Sequence, residues 1–237
     1  MAATSDLAPH SQTLSRGINI LEVLATAGRP LSIAQLAAAL GVHRSVAYRI
    51  LRTLEDHNLV ARDPSGGVRL GARLAELSQA VSRELQVAAL PELTAVANDL
   101  TMTAFLAVME GKESVILTSI EPRHQAATIV YRPGSRHPVT HGAPGIAIQS
   151  LLDETQWKAA FHDEPRRPDV EKITTIGYVT TRGEVIRGMA ATAVPLSIPG
   201  EMPTALAVVY VESELSEDQI GQRLLIAAQR IESAFSQ

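Results

Sequence analysis

The 237-residue chain has no cysteine, which excludes disulfides, thiolate metal sites and a cysteine nucleophile. It has no apolar run long enough to span a membrane, and residues 1–12 carry no basic segment leading into an apolar one. Neither a membrane span nor a secretory signal is therefore expected, and the compartment implied is the cytoplasm. The chain also lacks a G-x-S-x-G elbow, a G-x-x-x-x-G-K-[ST] phosphate loop and an H-E-x-x-H pair. Catalysis is not expected, and no cofactor is called for. His137 and His141 stand four apart, with His162, Asp163 and Glu164 further on, but Pro138 and Gly142 argue against a helix that would aim the pair at one ion. No metal site is assigned.

What the chain does contain is the make-up of a globular protein. With 46% hydrophobic and 19% charged residues it can bury a sizeable core, and its length suits two modest domains better than one. The formal net charge of −4 is unevenly spread. Residues 1–80 hold eight arginines against six acids, for +2, whereas residues 81–237 hold thirteen basic and nineteen acidic residues, for −6. A partner carrying negative charge would meet the first part of the chain.

That first part holds the most informative stretch, residues 31–71. Ser32 is a good N-cap and Gln35 completes a capping box, so a helix should start at Ile33, with Ile33, Leu36, Ala37 and Leu40 as its apolar stripe. Gly41 supplies a sharp turn. A second helix is predicted over residues 43–58, with Val46, Ala47, Ile50, Leu51 and Leu54 facing a core. Its start and outward face carry His43, Arg44, Ser45, Tyr48, Arg49 and Arg52, side chains able to bond to phosphates and base edges. Asp56 is placed to pair with Arg52. Two short apolar-alternating segments, 59–63 and 68–70, flank Pro64-Ser65-Gly66-Gly67 and read as a hairpin with Arg62 and Arg69 on its strands. A helix pair followed by a basic hairpin is a winged helix-turn-helix, and double-stranded DNA is the partner it implies.

Before this motif, Leu14, Ile18, Leu21 and Ala25, with Leu24 beside them, predict a first helix ended by Gly28 and Pro30. Arg16 near its start is a further candidate for a phosphate contact. After the motif, residues 72–89 read as a connecting helix with Leu74, Leu77, Val81 and Leu85 on one side, interrupted by Pro91 and followed by a second helical run over 93–100. Such a connector also suits packing against its copy in a dimer. Strands are expected at 103–109, 114–120 and 128–131, helix over most of 145–176, strands again at 178–181, 189–196 and 206–211, and a closing amphipathic helix at 216–235. The fold class is α+β in two domains. The expected boundaries are 1–72 for DNA binding, 73–90 for the connector and 91–237 for the second domain.

With these parts in place, the chain resembles the IclR family of bacterial transcriptional regulators over nearly its whole length. The likeness lies in the N-terminal helix, in GVHRSVAYRILRTLEDHNLV, in the VRLG ending the wing, in PVTHGAPGIAIQSLL and in GYVTTRGEVIRGMAATAVPL. The resemblance implies a GAF-like C-terminal domain that binds a small effector, often an organic or aromatic acid, and a homodimer or homotetramer on a palindromic operator. It also implies a coupling between effector and operator of typically about 1–3 kcal/mol.

Carried over residue by residue, the family's pocket falls on Ala143, Pro144 and Gly145, where backbone N–H groups at a helix N-terminus can receive a carboxylate. Pro144 removes one donor, and Ile146 stands where the family often has lysine. His137, Thr181, Met189, Ala191, Val208 and Tyr210 match the remaining pocket positions. Val208 and Ala191 offer nothing polar, so the expected ligand is larger and partly apolar, an aromatic acid oriented by His137 and Tyr210. The competing reading is a small-molecule-binding protein or enzyme that uses its helix-turn-helix only for protein contacts.

Overall fold

A computed structural model of the chain describes residues 11–123, 131–211 and 213–235. They form two compact units divided between Val81 and Ser82.

The first unit opens with α1 (Gln12–Ala27), capped by the Ser11 hydroxyl and closed by Gly28, whose φ of 60° lets its N–H reach the Leu24 carbonyl. The buried stripe of α1 is Gly17, Ile20 and Leu24. Leu14 and Ile18, expected on that stripe, are exposed instead. The face turned to α3 is instead that of Gly17, which lies against Ile50 and Leu54. The capping box of Ser32 and Gln35 starts α2 (Ile33–Ala39) as expected, and a turn at Gly41 leads to α3 (Arg44–Asp56). The strands β1 (Val60–Arg62) and β2 (Val68–Leu70) pair antiparallel to make the wing. Leu31 bridges to Val68, tying the entry of α2 to the hairpin. Ile20, Leu36, Leu51 and Val68 are fully buried in one core.

The connector differs from expectation. A short helix α4 (Arg73–Ser78) ends at Gln79, and Ser82, at φ 42°, sets the start of a separate helix α5 (Arg83–Leu100). Pro91 does not interrupt α5. It sits on the exposed side beside Val87 and Leu90, both exposed, while Leu85, Ala89, Leu93, Val96 and Ala97 are buried. Water can satisfy the Val87 carbonyl that proline leaves without its helical donor.

The second unit is built on a six-stranded antiparallel sheet in the order β5-β4-β3-β8-β7-β6. Its strands are β3 (Thr103–Glu110), β4 (Glu113–Ile120), β5 (Arg136–Pro138), β6 (Val179–Arg182), β7 (Ala190–Leu196) and β8 (Thr204–Tyr210). The expected strand at 128–131 lies largely outside the described residues, and Tyr131 is not in a strand. The short strand β5 was not anticipated. The helical run after 142 resolves into α6 (Gly142–Leu151), α7 (Glu154–Phe161) and α8 (Val170–Ile176), and α9 (Glu217–Ala234) closes the chain behind a capping box of Ser216 and Gln219. One sheet face packs on α5 and α9 through Leu106, Val194, Leu206 and Leu224. The other packs on α6, α7 and α8 through Phe105, Ala207, Ile146, Trp157 and Ile173. Gly145 allows α6 to approach closely, since a Cβ there would lie 2.2 Å from the Val139 carbonyl oxygen.

Candidate functional site

On the first unit, α3 presents Arg44, Ser45, Tyr48, Arg49 and Arg52 to solvent, as its periodicity requires once Ala47, Ile50, Leu51 and Leu54 are buried. His43 is the helix N-cap, its Nδ1 accepting the Ser45 N–H at 3.3 Å. Together with Ser32, Ile33, Ala34 and Gly66, residues Arg44, Ser45 and Tyr48 line an open furrow of about 540 Å³.

The arginines fall into two groups. Arg62 is tied to Glu55 of α3, and its guanidinium lies 5.8 Å from the centre of the Tyr48 ring, so it fastens the wing to α3. Among the described residues, Arg16, Arg44, Arg49, Arg52 and Arg69 make no ion pair with a carboxylate. The expected Arg52–Asp56 pair is absent, both side chains standing in solvent. At the wing tip, Asp63 accepts from the Ser65 and Gly67 amides and the Ser65 hydroxyl. The Ser65 hydroxyl and the Gly67 amide hold the Asp63 carboxyl below the ordinary carboxylate range, which leaves it charged but turned onto its own loop.

On the second unit, a chamber of about 20 Å³ lies at the start of α6. That is room for about one water. Tyr131, Gly142, Pro144, Thr181, Met189, Ala191 and Val209 line it, and residues 183–186 form one wall. The structure thus brings Pro144, Thr181, Met189 and Ala191 together, with Ala143 and Gly145 in the same turn of α6. His137 stands one residue back from the wall, its Nε2 3.2 Å from the Tyr131 hydroxyl and its ring stacked on Tyr131. Burial pushes the His137 pKa below its ordinary value and raises that of Tyr131, so at neutral pH both are uncharged.

Val208 and Tyr210 are corrections. Both lie in the core on the α5 and α9 face of the sheet, away from the chamber, where Tyr210 bonds to the Thr192 hydroxyl at 3.2 Å. Strand neighbours point to opposite faces, so the chamber takes Val209 from β8 instead.

The N-terminus of α6 is also not the open carboxylate receptor expected of it. The Gly142 amide donates to Glu184 Oε2 at 2.9 Å and the Ala143 amide to Thr181 Oγ1 at 3.0 Å, while Pro144 has no donor. Glu184 is gripped in turn by both terminal nitrogens of Arg167, at 3.1 and 2.9 Å. Arg167 also bonds to Asp169, and its backbone N–H is fixed by Gln149, whose amide donates to the Val139 carbonyl. The Arg167 guanidinium holds the Glu184 carboxyl below its ordinary range, and the Gly142 amide assists. Sequence reasoning missed Arg167, Glu184 and Tyr131, since single charged or aromatic residues in loops carry no periodic signal.

Residues 13–64 match the model of the IclR helix-turn-helix domain. Residues 13–64 are thus an IclR-type helix-turn-helix domain, and the chain as a whole is similar to DNA-binding transcriptional regulators of that type. Over 94% of its length it is 26% identical to the HTH-type transcriptional regulator TtgV of Pseudomonas putida, 92% of which is covered. Two solved structures share its fold at a TM-score of 0.78 and 23% identity, covering 95% of this chain and 99% of their own. They are an IclR transcriptional regulator from Alicyclobacillus acidocaldarius and an IclR homologue from Microbacterium hydrocarbonoxydans complexed with 4-hydroxybenzoate. The curated relatives of the chain are named as transcriptional regulators, which favours the regulator reading over the competing one. No helix among the described residues is long and apolar enough to cross a membrane.

Proposed function

We propose that this regulator is a cytoplasmic homo-oligomer that binds a palindromic operator through α3 and the wing, and that an aromatic acid seated at the start of α6 changes its operator affinity. Arg44, Ser45, Tyr48, Arg49 and Arg52 read the major groove in this proposal, with His43 holding the first turn of α3. Arg69 and Arg16 contact phosphates and Arg62 sets the angle of the wing. The observation that carries the DNA half is the set of unpaired arginines on one exposed helix face beside an open furrow.

The effector half rests on the chamber. The Gly142 amide of α6 and the Arg167 guanidinium there already hold one carboxylate, that of Glu184, beside the uncharged Tyr131–His137 pair and the apolar side chains of Met189, Ala191 and Val209. A group that holds one carboxylate has the chemistry to hold another, and the apolar wall suits a ring. The 4-hydroxybenzoate bound by the Microbacterium relative is an acid of this class.

The test is a titration of purified protein against DNA flanking its own gene, in the presence of excess unrelated duplex, with and without 4-hydroxybenzoate. Saturable binding that survives the competitor, and whose midpoint the acid moves, is the expected result. Binding indifferent to a panel of aromatic and short organic acids would overturn the effector half. Failure to bind any genomic fragment specifically would overturn the operator assignment to α3.

A further inference from the structure

The loop between β6 and β7 is bracketed by two glycines in the left-handed region, Gly183 at φ 67° and Gly188 at φ 81°, and a Cβ at either would meet nothing within 4 Å. Its ends are clamped to each other by the Gly183 N–H donating to the Met189 carbonyl at 2.7 Å. Its tip reaches across the chamber mouth. There Val185 lies so near Gly142 that a Cβ on the glycine would come within 2.8 Å of it, and Glu184 makes its bonds to Gly142 and Arg167. Among the described residues, the cavity behind the tip measures about 20 Å³, room for about one water. No benzoate-sized molecule can enter while the tip stays down.

We propose that this loop is an autoinhibitory latch in which the Glu184 carboxylate occupies the place of the effector's carboxylate, so that an acid binds by exchanging with Glu184 on the Gly142 amide and Arg167. This rests on the aromatic-acid reading of the chamber. The exchange is one carboxylate for another. Arg167 and the amide keep their partners in number and charge, and the released Glu184 side chain, only 26% exposed when latched, passes to water. The glycine hinges let the four-residue tip, 184–187, swing out on β6 and β7 without disturbing the sheet. A neutral ligand of the same shape gains nothing from the exchange, because it leaves the Arg167 charge with the Asp169 carboxylate and the Thr140 carbonyl in place of two carboxylates. The latch thus selects for acids and lowers their apparent affinity by the fraction of molecules in which it is open.

The experiment measures binding of 4-hydroxybenzoate, and of its neutral amide, to the full-length protein by calorimetry. It compares the wild type with Glu184→Ala and Glu184→Gln, each checked by thermal unfolding, and with Arg167→Ala. The expected result is an acid affinity at least about tenfold higher in both Glu184 variants, with no comparable gain for the amide and loss of acid binding in Arg167→Ala. Equal acid affinity in wild type and both Glu184 variants overturns the latch and leaves the acid site standing. Absence of acid binding in every protein overturns the acid reading, and the latch is then decided by amide hydrogen exchange. Faster exchange at Gly142 in Glu184→Ala, slowed again by added acetate, upholds it, and unchanged exchange overturns it.

Discussion

Arg44 and Arg62 are both exposed arginines of the first unit, yet their surroundings assign them different work. Arg62 spends its charge on Glu55 and its flat face on Tyr48, whereas Arg44, in the first turn of α3, has no carboxylate partner among the described residues. Arg44→Ala is therefore expected to weaken operator binding by about 1–3 kcal/mol while barely changing affinity for unrelated duplex. Arg62→Ala should weaken both duplexes alike, because it loosens the wing without removing a base contact. Equal losses on both duplexes in Arg44→Ala would assign Arg44 to the phosphates. A second residue-scale expectation follows from Glu184 and Asp169, whose carboxyls are both held below the ordinary range, Glu184 by Arg167 first and Asp169 by Lys172 and then Arg167. A depressed carboxylate pKa stabilises the fold above its unfolded value and loses that contribution as the pH falls through the folded one. Urea midpoints followed from neutral pH down to about pH 3 should fall less steeply in Glu184→Gln than in the wild type.

At the scale of elements, the unexpected continuity of α5 gives its own test. Pro91 occupies an exposed position in the middle of that helix, where proline costs up to about 3 kcal/mol against alanine, partly offset by the freedom it removes from the unfolded chain. Pro91→Ala should stabilise the second unit by about 2 kcal/mol, read as a shift of the denaturant midpoint at constant slope. A destabilised variant would mean that the proline ring makes a packing contact that outweighs the lost hydrogen bond. The helix-turn-helix and wing were legible because their signals are local: the Ser32–Gln35 box, the 3.6-residue spacing of the α3 core positions, and the Pro-Ser-Gly-Gly loop all act within a few residues. The face of β8 was not legible, and this is why Val208 and Tyr210 were misassigned. All seven residues of TALAVVY are buried, since β8 lies between β3 and β7 with helices on both sides, so no polar alternation marks which residues face α6. The Glu184–Arg167 bond joins two loops that only the fold brings together, and nothing in their separate sequences announces it.

At the scale of the whole molecule, the charge is divided along the same line as the structure, with the basic excess before residue 81 and the acidic excess after it. The formal net charge of −4 therefore understates the attraction of the first unit for DNA, and salt dependence is the measurement that separates local from net charge. The arginines without ion pairs set the scale. If each protomer of a dimer places about three of Arg16, Arg44, Arg49, Arg52 and Arg69 on phosphates, the pair neutralises about six, and log affinity should fall against log salt with a slope of about −5. Removing a phosphate contact with Arg69→Ala should reduce that slope by about 1 per protomer, whereas Arg62→Ala, whose charge is already met by Glu55, should lower affinity and leave the slope nearly unchanged. A slope near zero would place binding outside the counterion-release regime and remove the arginine face of α3 as its source. A slope of about −9 would require every one of the five arginines without ion pairs to reach a phosphate on both protomers. That would leave none free to read bases and would make the protein a binder of DNA shape and charge more than of sequence.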